Sequence, residues 1–307
     1  MREKRTNTIR PGGNEMDLAK FVETATPLRA LGVIVSQNGT EIARHMWEEP
    51  CRRDVCSVSK SVTSAAVGIA CREGLLSLDE KLVDAFREDL PDEVSENLAK
   101  ATVRDLLTMC LGQGKEFMMG EDRPYHADRD WVKLSLRQPF VHEPGTRFLY
   151  NNVGPYLAGV LVQRRAGCNL AQYLNPRLFQ PMGIQRPSWE IDPLDYTFGA
   201  SGLFWTIDEM HQFGQLYLQN GCWEGKQLIP ENWVRASTSR QVDNERDPYG
   251  YGYLFWRGEQ NSYRMYGKYG QFSIVIPDKN AVVSTTAECR DANLLLAAVF
   301  SDIYPQL

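Results

Sequence analysis

Strand-like text stands at the two ends of this 307-residue chain and is nearly absent between them. LGVIVSQNGTEIARHMW, at 31–47, alternates apolar and polar residues on either side of Asn38-Gly39, a dipeptide suited to a tight hairpin. Comparable text returns at YGYGYLFW (249–256), SYRMYG (262–267), QFSIVIP (271–277) and AVVSTTAE (281–288). The intervening text reads as helices that end repeatedly at glycine, among them PYLAGVLVQRRAG and TIDEMHQFGQLYLQNG. A short helix at about 16–24 opens the chain and ANLLLAAVF closes it. Together these predict an α/β (α+β) fold. A mainly antiparallel sheet built from 1–75 and 221–307 is flanked by helices, and an all-helical subdomain, 76–220, is inserted beside it. The cleft between the two parts is the expected place for a site.

A formal charge of −5 argues against a nucleic-acid or anionic-membrane partner. The seven cysteines contain no CxxC pair and fit neither a zinc site nor a disulfide framework. Cys56, Cys71 and Cys110 fall in apolar helical text, where a free thiol acts as a small hydrophobe. The charged opening, MREKRTNTIRPGGNE, has no apolar core of a signal peptide after it, and a cytoplasmic location is expected.

CSVSKSVTSAAVGIA, at 56–70, carries the chemistry. Ser57 and Lys60 lie one turn apart on one face at the start of a helix whose other residues are apolar or small. A lysine there either reaches water, with Ser57 a mere cap, or is desolvated until its amine can take a serine proton. Tyr150-Asn151-Asn152, between a Pro-Gly turn and a helix beginning near Pro155, adds a phenol able to relay protons. Its asparagine could bond the lysine and a substrate amide or carbonyl. Tyr173-Leu174-Asn175 repeats the spacing, but mid-helix, where a tyrosine packs. The glycines of MYGKYGQFSIVIP mark a strand that a backbone or ligand approaches closely, or bound a tight turn. Trp205 is a pocket wall or a core residue, and His142-Glu143 is a weaker candidate for lining the cleft. The four histidines show no metal-binding spacing, and no metal or organic cofactor is expected.

Ser57-x-x-Lys60, Tyr150-x-Asn152 and a glycine-bearing strand, in that order, resemble the penicillin-recognising serine hydrolases. These comprise class C-type β-lactamases, DD-peptidases, related carboxylesterases and 6-aminohexanoate-dimer hydrolases. GLLSLDEKL, TVRDLLTM, EPGTRFLYNN and GLFWTIDEMHQFGQLYLQNG share the likeness. The resemblance implies a β-lactamase-like fold with Ser57 as the acylated nucleophile, Lys60 as its base and Tyr150 as proton relay. It implies Asn152, Tyr266, Gly267 and Gly270 as substrate-binding positions, and the Ser57 and Lys268 backbone N–H groups as the oxyanion hole. The third motif falls on Met265-Tyr266-Gly267 or on Lys268-Tyr269-Gly270. The first register leaves no basic residue at its head and leans toward an esterase or amidase rather than an efficient β-lactamase. The substrate is then a small ester, amide or lactam. A module that is acylated without turnover is the alternative.

Overall fold

The computed structural model describes residues 16–120, 123 and 126–307. The charged opening segment, 1–15, lies outside the described residues, as do 121, 122, 124 and 125. The two ends of the chain do build one six-stranded antiparallel sheet. Its spatial order is Thr40–Met46, Ala30–Gln37, Ala281–Ala287, Gln271–Ile276, Tyr263–Gly267 and Trp256–Arg257. The first hairpin turns at Asn38 and Gly39, both left-handed (φ 51° and 77°), as the dipeptide predicts.

Both faces of the sheet are buried, and strand alternation divides them. Val33, Val35, Ile274, Ile276 and Val283 face the terminal helices Ala19–Ala25 and Ala292–Ala298. Ile34, Val275 and Val282 face a larger core shared with the helical part. The helix Ile207–Leu218, which falls in the text assigned to the helical part, lies against the strands Gln271–Ile276 and Ala281–Ala287.

One stretch departs from expectation. YGYGYLFW joins the sheet only at Trp256. Gly250 and Leu254 are left-handed (φ 84° and 64°), and a Cβ on Gly252 would stand 2.0 Å from the Ser237 carbonyl oxygen. The segment therefore turns rather than extends, and Tyr251 and Trp256 pack beside Tyr150. Cys56 and Cys110 also differ: Cys56 precedes its helix, in a left-handed conformation (φ 52°), and Cys110 lies beyond the end of the helix Val103–Leu107. All seven cysteines are free thiols. Among the described residues no helix is long and apolar enough to cross a membrane.

The helix Val58–Arg72 is buried almost throughout and forms the hinge of the architecture. The hydroxyls that interrupt its apolar text bind neighbouring loops: Ser61 Oγ donates to Leu254 O (2.7 Å), and Thr63 Oγ1 to Gly199 O (2.7 Å). Ser59 Oγ accepts from Leu203 N (3.2 Å). Each bond satisfies a buried backbone group that water cannot reach. On another face, a Cβ at Gly68 would lie 2.4 Å from the Trp233 ring. Gly68→Ala is therefore expected to lower stability by about 1–3 kcal/mol through overpacking. Adding Trp233→Leu should restore part of the loss, measured as the thermal midpoints of the single and double variants.

Candidate active site

Ser57 stands in the turn that leads into the Val58–Arg72 helix, and that turn is held by two backbone donors. Cys56 N–H is held by Asp54 Oδ1 (2.7 Å), and Val55 N–H by Leu203 O (2.9 Å). The left-handed Cys56 then reverses the chain into the helix. Ser57 stays partly exposed, and no acceptor among the described residues takes its N–H.

One turn on, Lys60 is 1% exposed. Its Nζ lies 2.9 Å from Ser57 Oγ, 2.6 Å from Asn152 Oδ1 and 2.8 Å from Ala200 O. Burial lowers its pKa to about 7, and the positive charge of Arg123 adds to the effect. A neutral amine has two N–H donors and one lone pair. Asn152 and Ala200 offer only acceptors, so they take the two donors and leave the lone pair for the Ser57 hydroxyl.

Asn152 also donates through Nδ2 to Met118 O (2.8 Å), which ties the lysine to the 117–118 segment. Tyr150 is buried, with its ring centroid 5.0 Å from Lys60 Nζ. Burial raises the phenol's pKa, against opposing contributions from Ser57 and Arg246. Trp256 and Tyr251 wall the ring (centroids 5.4 and 6.5 Å).

The two glycines of the third motif have different surroundings. A Cβ on Gly267 would stand 2.3 Å from the Val55 carbonyl oxygen, so only glycine lets this strand end approach the Ser57 turn so closely. The Lys268 backbone that follows comes near the Cys56 thiol and offsets part of the rise in pKa that burial causes there. Gly270 (φ 94°) faces Leu295 and Ala287 instead, on the terminal-helix side. Met265 is fully buried in the larger core, Tyr266 is half-buried, and Lys268 is exposed.

Ser57, Lys60, Tyr150, Asn152, Gly267 and Lys268 are thus brought to one place, and Gly270 is set apart from them. A match to the Beta-lactamase family model covers residues 18–293. The chain belongs to the beta-lactamase family.

Its fold is that of solved family structures. It resembles a provisional 6-aminohexanoate-dimer hydrolase from Bacillus anthracis (TM-score 0.76, 20% identity, 92% of this chain and 80% of the other). It also resembles an octameric penicillin-binding protein homologue from Pyrococcus abyssi (TM-score 0.75, 17% identity, 93% and 77%). At these identities the likeness is one of fold. In sequence it is 30% identical over 158 residues to monacolin J acid methylbutanoyltransferase of Aspergillus terreus, covering 45% of this chain and 37% of that protein. An acyltransferase of Penicillium decumbens is 33% identical over 164 residues, covering 45% and 38%. The chain therefore spans well under half of these curated relatives.

The other sequence candidates lie elsewhere. Tyr173 bonds Glu73 (3.0 Å), and Trp205 is core, against Phe179 and Phe213. His142 pairs with Arg147 (2.7 Å) and Glu143 with Lys100 (3.5 Å), both pairs exposed. Among the described residues no cluster of three or more His, Cys, Asp or Glu could hold a metal ion. Ala200 O and Arg123 were not legible in the sequence. Backbone carbonyls leave no signature, and Arg123 acts at a distance while held by Glu190 (3.2 Å) and Ser201 Oγ (2.9 Å).

A lysine with a pKa of about 7 carries its proton below that pH and cannot accept another. Phosphonylation of Ser57 is accordingly expected to rise about tenfold per pH unit below 7 and then level off. Because Arg123 lowers the lysine's pKa, Arg123→Gln should move the midpoint upward. Pseudo-first-order labelling rates from pH 5 to 9 check both. A flat profile, or a midpoint that moves downward, counts against Lys60 as the base.

Proposed function

We propose that this protein is a serine hydrolase that cleaves a small ester or amide through an acyl-enzyme on Ser57. The observation that carries the reading is the buried Lys60 amine, 2.9 Å from Ser57 Oγ, with Asn152 Oδ1 and Ala200 O as its other partners. In the proposed first step Ser57 Oγ attacks the substrate carbonyl and its proton passes to Lys60. The developing oxyanion takes the Ser57 and Lys268 N–H groups. Tyr150 gives its proton to the leaving group as the carbonyl bond breaks, and Lys60 returns a proton to Tyr150. Water, deprotonated by the same pair, then releases the acyl group.

In this scheme Asn152 holds Lys60 and borders the acyl group, while Tyr266 and Gly267 form the strand-side wall. The close approach of Gly267 to Val55 supports Met265-Tyr266-Gly267 as the third motif. Met265 then places a buried apolar side chain at its head, which favours esters and amides over carboxylate-bearing lactams.

A fluorophosphonate is expected to add once, on Ser57, as read by intact-protein mass and peptide mapping. Ser57→Ala should abolish both the adduct and ester turnover, and Lys60→Ala should lower labelling by at least a hundredfold. Turnover that survives Ser57→Ala would falsify the reading. An acyl adduct that persists for hours would point to the non-turning-over module.

Two relatives named as acyltransferases favour a second reading, in which an alcohol takes the place of water in deacylation. Adding a small alcohol would then divert product from free acid to the new ester, in proportion to its concentration.

A further inference from the structure

We propose that Arg246 is a positioning residue for the proposed reaction, holding the Tyr150 oxygen ready to lose its proton to the leaving group. The inference rests on the acyl-enzyme reading above. Arg246 comes from the 240–249 loop, outside all three sequence motifs, and its guanidinium carbon lies 5.3 Å from the Tyr150 ring centroid. Tyr150 is thereby enclosed by Arg246, by Lys60 at 5.0 Å and by the tilted Trp256 ring at 5.4 Å.

The position of Arg246 is built. Asn244 Oδ1 accepts both the Arg246 and Asp247 N–H groups (2.9 Å each), closing a tight turn. Asp247 also accepts from Tyr249 N (3.0 Å) and lies 3.7 Å from the buried Arg264 guanidinium. From the opposite wall Glu116 Oε1 holds Arg246 Nη2 at 2.8 Å. The residues after Glu116 are themselves fixed, because Phe117 O and Met118 O accept from Asn152 N (3.3 Å) and Nδ2 (2.8 Å). The Arg246–Glu116 pair thus joins the sheet-side loop to the segment that anchors Asn152.

The chemistry needs such a charge. When the substrate's carbonyl–oxygen or carbonyl–nitrogen bond breaks, the departing atom takes the Tyr150 proton and a phenolate is left in a buried site. Lys60, carrying the proton from Ser57, then returns one to it. During that interval protonated Lys60 is one cation beside the phenolate, and Arg246, in place before the reaction starts, is a second that stays charged after Lys60 gives up its proton. Arg246 also opposes the rise in the pKa of Tyr150 that burial causes.

A leaving group that departs as a stable anion needs little of this help, and one that must be protonated needs most of it. The test is kcat/KM, which reports acylation, for p-nitrophenyl, phenyl and ethyl acetate with wild type, R246Q, R246K, Y150F and Y150F/R246Q. The expected result is a steeper fall of log kcat/KM with leaving-group pKa in R246Q, with ethyl acetate losing at least tenfold more than the nitrophenyl ester. R246K should lie between, because it keeps the charge and loses the fork. The double variant should lose no more than Y150F alone.

An equal loss on all three esters, or full additivity with Y150F, overturns the inference and leaves Arg246 a structural tether. If Ser57→Ala still turns these esters over, or if wild type turns over none, the hydrolase reading has failed instead.

Discussion

A single amine out of reach of water organises this molecule. Desolvating a lysine costs several kcal/mol unless the group is neutral and its donors are met. Lys60 meets that condition with acceptors from two remote parts of the chain, Asn152 Oδ1 and Ala200 O. Those acceptors must in turn be held: Asn152 by Met118 and Phe117, and the Ala200 segment by Thr63 bonding Gly199. Arg53–Asp54 pairs with Phe204–Trp205, which binds the same segment to the Ser57 turn. Burying one side chain therefore requires the helical part, the nucleophile turn and the 199–205 segment to be assembled together.

The same assembly divides labour between the two parts. The sheet supplies rigidity and a strand end that only glycine lets come within contact of Val55. The helical part supplies the polar groups, Tyr150 and Asn152, from a loop just before the helix Val153–Ala166. Cys56, left-handed and beside the Lys268 backbone, joins the two at the Ser57 turn. Non-glycine residues in that conformation store roughly 1 kcal/mol or more, and they persist where neighbours over-determine them.

The regular elements were readable because their patterns are local. The Asn38-Gly39 hairpin, the closing strands and the buried helix after Ser57 each follow from side-chain periodicity and turn chemistry. YGYGYLFW misled for an equally local reason. Its alternation looks like a strand, but Gly252 is there for contact with the Ser237 carbonyl, and Tyr251 and Trp256 pack beside Tyr150. Periodicity cannot distinguish a glycine that pairs from one that another backbone approaches.

From sequence alone came the fold class, the family resemblance and the candidates Ser57, Lys60, Tyr150 and Asn152, because spacing along a helix or a loop is written in the chain. Only the tertiary structure decided how buried Lys60 is, that Ala200 O shares its donors, and that Arg123 and Arg246 add charge to the site. It also separated Gly267, against Val55, from Gly270, against Leu295. Electrostatics and desolvation depend on distances between residues far apart in sequence, and those distances exist only once the chain has packed.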